Sequence, residues 1–393
     1  MSSNTNRTTE PEHSSMDGNP DIAELIDDRD AYYKTSHGAA YQGDSRTLLD
    51  TLPENSINLV VTSPPFALQR KKEYGNKDQT DYNEWFLTFA EKVQRVLTED
   101  GSFVVDIGGG WEKGKPVRSL YHFELLTQLA GDDGPFNLAQ DFYWYNPAKL
   151  PTPAQWVTIE RIRVKDAVNH VWWLSKSERP KADNTNVLKE YSDSQKKLME
   201  HGYRDKKRPS GHDISDKFDD PKEKGAIRPN LWNGLKDSLY APDLLELLDQ
   251  SEIPRELLSV AEREGLLEEL AEVALGDYFE DNVLEFANTA SNTHYLKACK
   301  ELDVDPHPAR FPRDLPSFFI EFLTEPGDYV LDIFAGSNMT GRVAEDTDRQ
   351  WLAFEYQEKY LETSKLRFMP MEEIRKDESQ LDFHDFADVA DIE

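Results

Sequence analysis

The segment Ile57-Asn58-Leu59-Val60-Val61-Thr62-Ser63-Pro64-Pro65-Phe66 decides the fold. Its first half is a nearly unbroken apolar run rich in β-branched residues. Such a run predicts a strand buried on both faces of a mostly parallel sheet. Two prolines then end it. They cannot continue a ladder, so the backbone is fixed at the carboxyl end of the strand with its carbonyls pointing outward. A hydroxyl and a carbonyl held together there can accept both hydrogens of an exocyclic amine, and the aromatic that follows can stack on a heterocycle. The same residues also suit a plain Pro-Pro strand terminator, and this segment alone leaves both readings open.

Six further strand candidates flank it: AAYQGD (39–44), GSFVVDI (101–107), QDFYWYN (140–146), VNHVWWLS (168–175), DYVLDIF (328–334) and WLAFE (351–355). Helical patterns separate many of them. In YNEWFLTFAEKVQRVL (82–97), the residues Trp85, Phe86, Phe89, Val93 and Leu97 recur at helical spacing. Strand–helix alternation predicts a doubly wound α/β domain. Residues 1–30 are polar and read as a disordered tail, and 371–393 as an acidic tail. Strand signals nearly vanish between 176 and 300, so a largely helical insert divides the domain into halves at 31–175 and 301–370.

Composition sets the outer bounds. The chain has 393 residues, 38% of them apolar, which is enough for a sizeable core and excludes wholesale disorder. No apolar run approaches the roughly 18 residues of a membrane span. The N-terminus lacks an apolar signal-peptide core, so a soluble, cytoplasmic protein is expected. A single cysteine, Cys299, excludes a disulfide framework within the chain and any multi-cysteine metal site. No metal centre is expected. The charge is unusual: 75 acidic side chains stand against 45 basic ones, a balance of −30. In dilute buffer that disfavours nucleic acid as a partner. Acid enrichment also suits life in multimolar salt, where the Debye length shrinks to about 3 Å at 1 M. We take the salt-adapted, halophilic reading. Within the insert, 196–208 carry six Lys or Arg against Glu200 and Asp205, whereas 243–285 carry fourteen acids against two arginines.

A second motif, Asp332-Ile333-Phe334-Ala335-Gly336-Ser337-Asn338-Met339-Thr340-Gly341, runs from a strand through small residues into a helix start. Small residues let backbone approach a ligand, and the helix start offers amide donors. Glu355 closes the next strand, 23 residues after Asp332. An acid about 20 residues on, at a strand end, suits a ribose diol; the alternative is a surface acid. Asp106-Ile107-Gly108-Gly109-Gly110 is a competing loop, but the acids after it, Asp132 and Asp133, sit in a turn. It therefore reads as a strand end lining the same cleft.

Together, TSPPF (62–66), HPARFP (307–312) and the 332–341 loop resemble the permuted, β-type amino-methyltransferases of DNA, most closely the N4-cytosine branch with Ser-Pro-Pro-Phe or Ser-Pro-Pro-Tyr. QGDS (42–45), RVLTEDGSFVVDIG (95–108), NPAKLPTP (146–153) and NTASNTHY (288–295) extend the resemblance over about 38–368. Met339 departs from a position where the family more often has a small polar residue, and the acidic helices near 243–285 have no place in the usual scheme.

The resemblance implies a Rossmann-like S-adenosylmethionine-dependent methyltransferase fold. Its sheet would be mostly parallel and seven-stranded with an antiparallel edge hairpin. It implies that Ser63 and the Pro64 carbonyl hold an N4 amine, with Pro65 stiffening the turn and Phe66 stacking on the extruded base. Asp332, Phe334, Ala335, Gly336, Ser337 and Asn338 would surround the cofactor, Glu355 would take its ribose, and Asp44 would lie near its adenine. His307 and Phe311 would flank it, although His307 also suits a purely structural role and Asp44 an ordinary helix cap.

Double-stranded DNA is the implied partner, together with a restriction endonuclease acting on the same site. Oligomeric state is left open. Arg70, Lys71 and Lys72, and Lys206, Lys207 and Arg208 with Ser210 and His212, are the candidate phosphate contacts; each group also suits a solvated charge run. C5 methylation is disfavoured, because it needs a thiolate, usually in a Pro-Cys pair, and Cys299 stands between Ala298 and Lys300. The rival readings are N6-adenine methylation, a catalytically silent DNA-binding subunit of the same fold, and an acidic DNA mimic.

Overall fold

The computed structural model describes residue 26 and residues 30–66, 79–145, 149–189, 191, 193–201, 225–232 and 293–377. The strands are β1 (Tyr33–Lys34), β2 (Gly38–Gln42), β3 (Ile57–Thr62), β4 (Leu97–Ile107), β5 (Asn137–Tyr145), β6 (Val168–Ser175), β7 (Leu231–Trp232), β8 (Tyr329–Asp332) and β9 (Gln350–Glu355). They form one sheet in the order β1-β2-β9-β8-β3-β4-β6-β5-β7. All seven expected strands are present. The expected count of seven is corrected to nine among the described residues, because two-residue strands add to each edge. So short a pairing leaves no periodic signal in sequence.

From β2 to β4 every pairing is parallel. Strand β6 then runs antiparallel to both β4 and β5. Thus β5 and β6 form the expected antiparallel hairpin, one short strand in from the edge.

The central strands alternate faces, as period-two geometry requires. Leu331, Leu352, Phe354, Phe103 and Val105 join one core, and Val330, Trp351, Ala353 and Val104 join the other. The first core is covered by α1 (Ser45–Thr51), α2 (Gln79–Val96) and α3 (Tyr121–Ala130). In α2, Tyr82, Phe86, Phe89, Ala90 and Val93 form a continuous buried stripe. Phe86 stacks on Phe103 of β4 with ring centres 6.2 Å apart.

A short helix α4 (Asp193–His201) follows β6 in the chain. Next come α5 (Thr293–Glu301), α6 (Asp314–Leu323), α7 (Met339–Asp346), α8 (Glu358–Lys365) and α9 (Met371–Asp377). Helices α6, α7 and α8 cover the second face.

Two segment boundaries shift. Residues 371–377 are a helix, not the start of a tail, because Ile374 of α9 is buried against Tyr295, Ala298 and Cys299 of α5. For the same reason α5 packs with the second half of the domain, through Leu366, and with α9. The acidic stretch 243–285 and residues 378–393 lie outside the described residues, as does most of 1–30. No helix among the described residues is long and apolar enough to cross a membrane.

Candidate functional site

The two halves meet at the carboxyl ends of β3 and β8, which pair in parallel with Val60 opposite Leu331. One residue before the proline turn, Thr62 Oγ1 donates to Asp332 Oδ1 at 2.7 Å. From the start of α1, Ser45 Oγ donates to the Ile333 carbonyl at 2.6 Å. Above these strand ends opens a cavity of about 520 Å³. Ser63, Pro64, Pro65 and Phe66 form part of its wall. Asp332, Phe334, Ala335, Gly336, Ser337 and Glu355 form another part, and Asp44, His307 and Phe311 also line it. Segments some 270 residues apart in the chain thus share one hollow.

The proline turn is anchored by a buried carboxyl. Ser63 Oγ donates to Asp106 Oδ2 at 3.1 Å, and Asn169 Nδ2 donates to Asp106 Oδ1 at 3.1 Å. Lys149 Nζ in turn donates to Asn169 Oδ1 at 2.7 Å and to the Val168 carbonyl at 3.2 Å. Burial pushes the Asp106 carboxyl up to about 6, against the hydrogen bonds from Ser63 and Asn169 and the charge of Lys149. Burial also lowers the Lys149 ammonium from its ordinary value.

The glycine run after Asp106 has a packing role. A Cβ on Gly108 would come within 2.8 Å of the Phe66 ring. The Gly108 carbonyl is taken by the Tyr121 hydroxyl. This run therefore seats an aromatic of the proline turn, and of residues 106–110 it is Asp106 that lines the cavity.

The other wall is built for a polar ligand. Glu355 Oε2 accepts from the Gly336 amide at 2.9 Å and Oε1 from the Gln357 amide at 2.8 Å. The Tyr356 amide is a third donor to it, and the carboxylate can still accept a further donor such as a ribose hydroxyl. Burial raises its pKa, opposed by those amides. Gly336 is left-handed, with φ +50°, and a Cβ there would lie 3.1 Å from the His307 ring.

Phe334 packs on Phe89 and Trp85, with centroid distances of 5.0 and 5.6 Å, giving an apolar flank. Asp44 caps α1 and pairs with Arg46, which holds its carboxyl below the usual range. Both lie on the cavity wall. Asp332 spends its oxygens on Thr62, Thr340 and the Phe334 amide, so its work is to fix the loop.

Asn338 is corrected. It is fully buried, caps α7 by accepting from the Gly341 amide, donates to the Tyr33 hydroxyl, and does not form part of the cavity wall. Ser337 reaches the wall, with its carbonyl held by Arg367 Nε and its hydroxyl by Arg367 Nη2. The His307 ring lies edge-on to Tyr360 at 4.2 Å, and burial lowers its pKa to about 4. It packs beneath the Gly336 turn as a neutral ring and also lies on the cavity wall.

Arg70, Lys71, Lys72, Lys206, Lys207, Arg208, Ser210 and His212 lie outside the described residues. Sequence reasoning missed Lys149 and Asn169. Asn169 sits at the start of β6, and only the antiparallel register, Asp106 opposite Val171 and Ile107 opposite His170, brings it beside Asp106. Lys149 lies inside the NPAKLPTP stretch, which carried a signal but no assigned role.

Comparison with known proteins agrees with this geometry. The family described as DNA methylase matches residues 57–366. The chain is 46% identical over 340 residues to the Type II methyltransferase M.PvuII of Proteus hauseri, covering 86% of this chain and 85% of that protein. It is 26% identical over 389 residues to M.SfiI of Streptomyces fimbriatus, covering 82% and 89%. The solved structure of PvuII DNA methyltransferase (cytosine-N4-specific) superposes with a TM-score of 0.60 at 39% identity, covering 89% of this chain and 95% of that one. With its two halves closing on one hollow and a match across most of its length, the chain belongs to the DNA methylase family.

Proposed function

We propose that the protein transfers a methyl group from S-adenosylmethionine to the exocyclic N4 amine of cytosine in duplex DNA, with the base turned out of the helix. The observation that carries this is the Ser63–Asp106 hydrogen bond on the wall of the cavity shared with Glu355. The residues fit the cofactor: Glu355 keeps acceptor capacity at a strand end, Gly336 lets backbone approach, and Phe334 offers an apolar face. When bound, S-adenosylmethionine supplies an electrophilic methyl on a sulfonium. Glu355 would hold its ribose, and the Phe334–Ser337 backbone its methionine portion.

The chain's own residues then manage the amine. An ionised Asp106 is an acceptor only, so it fixes the Ser63 hydroxyl as a donor toward itself. The Ser63 lone pairs are left facing the cavity. With the Pro64 carbonyl they can accept both amine hydrogens and draw the nitrogen out of conjugation with the ring. Phe66, seated on Gly108, offers a face for the base. The proton that the amine must lose has a path through Ser63 Oγ to Asp106 Oδ2. Turning the base out costs a few kcal/mol, which contacts to the DNA must offset. A restriction endonuclease blocked by the same modification belongs to this reading as a partner.

The test is incubation with labelled S-adenosylmethionine and duplex DNA at molar salt, followed by identification of the modified base. N4-methylcytosine is expected. Recovery of N6-methyladenine alone overturns the base assignment, and no transfer at any salt favours a silent DNA-binding subunit. Ser63→Ala should lower turnover by about 10²-fold and leave cofactor affinity within about twofold. An equal loss of both contradicts the role given to Ser63.

A further inference from the structure

Two loops rise from the strand ends that carry the Asp106 network. Residues 111–118 follow β4 as a tight hairpin, closed by a bridge between Trp111 and Arg118. Residues 149–166 begin at Lys149 on the cavity wall and end just before Asn169. The loops are laced together. Arg118 Nη1 meets Asp166 Oδ2 at 2.7 Å, and Arg163 Nη2 donates to the Pro116 carbonyl at 2.8 Å.

Within the longer loop every residue from 158 to 165 is exposed. Its sequence there is Thr-Ile-Glu-Arg-Ile-Arg-Val-Lys, cations alternating with aliphatics. Ile162 is 47% exposed and Val164 87%. Burying such side chains would be favourable, yet among the described residues nothing covers them.

Charge identifies the occupant. The chain as a whole carries 75 acids to 45 bases, but the two loops carry seven Lys or Arg against three acids, Glu112, Glu160 and Asp166. A basic rim on an acidic protein, carried by loops rooted beside the cavity-wall residues Asp106, Lys149 and Asn169, complements a polyanion. The alternating aliphatics add the kind of side chain that enters between base steps.

Resting on the methyltransferase reading above, we propose that the rim formed by residues 111–118 and 158–165 receives the duplex beside the extruded base, with Arg161 and Lys165 on backbone phosphates and Val164 in the space that the base leaves. Arg163 and Arg118 hold the two loops in register. The rim lies outside both lysine–arginine runs that the sequence marks for phosphate contact.

The test uses full-length protein and a labelled duplex, with binding measured by fluorescence anisotropy over a range of salt. The double variant Arg161→Ala, Lys165→Ala should weaken DNA affinity about tenfold or more at fixed salt. It should also reduce the slope of log affinity against log salt by about 2. Affinity for S-adenosylmethionine, measured alongside, should stay within about twofold and shows that the variant folds. Val164→Ala should keep DNA affinity within about twofold and lower turnover roughly tenfold.

Unchanged affinity and slope in the double variant overturn the phosphate assignment, and unchanged turnover in Val164→Ala overturns the insertion. Wild-type protein that binds DNA but transfers no methyl sinks the proposed activity alone, since the slope still tests the rim. Rim-dependent binding to anionic vesicles but not to DNA overturns the choice of partner.

Discussion

In the proposed mechanism, Asp106 is the side chain whose charge state matters most. Protonated, it can donate to Ser63, turn that hydroxyl around and remove an acceptor from the amine. Its value of about 6 therefore predicts that kcat/KM rises with pH, with a midpoint near 6. Asp106→Asn should lower activity and flatten the profile; a variant that keeps the same midpoint contradicts the assignment. Stability should move the other way. The folded carboxyl, raised from 3.8 to about 6, holds its proton more tightly than the unfolded one. Its contribution is therefore greatest at low pH and is lost as pH rises from about 4 to 6. Denaturant titrations at either end of that window should show a smaller loss in Asp106→Asn than in the wild type.

At the scale of elements, the 333–338 loop is shaped from behind by a buried cation. Arg367 grips Ser337 twice and lies 4.4 Å from the Tyr295 ring centre, and burial lowers its pKa to about 10. Arg367→Met should leave the Ser337 carbonyl without that donor, at a cost of about 1–3 kcal/mol. It should raise KM for S-adenosylmethionine more than it lowers kcat; the reverse split contradicts a positioning role. Such a tether was invisible in the sequence, because Arg367 follows a helix end with no motif around it. What could be read was whatever depends on neighbours in the chain. The strand at 57–62 and the α2 stripe announce themselves by periodicity, and Glu355 by its distance from Asp332. The link from Ser63 to Asp106 spans 43 residues, and Asn169 joins it only through the antiparallel register of β6. Periodicity also misplaced edges. Strand β4 begins at Leu97, four residues before the apolar run, because Leu97 pairs with Ile57 ahead of a bulge.

For the whole molecule, the balance of −30 is the property to test. At low ionic strength, self-repulsion works against the compact state and against DNA alike. Raising KCl from about 0.1 M to about 2 M should therefore raise Tm, by roughly 5 °C or more. A Tm that falls or stays flat, followed by circular dichroism, sinks the salt-adapted reading. The sheet order carries a different consequence. Strand β2 is made early, yet it is separated from β3 by β9 and β8, which come from the far end of the chain. On the ribosome, then, the growing polypeptide can assemble only one flank of its sheet. The other flank stays an open slot until translation has passed Glu355, with the edge of β3 bare in the meantime. The enzyme gains its cofactor floor as its last act of folding, so a truncated product would be an unfinished sheet with nowhere to hold a methyl donor.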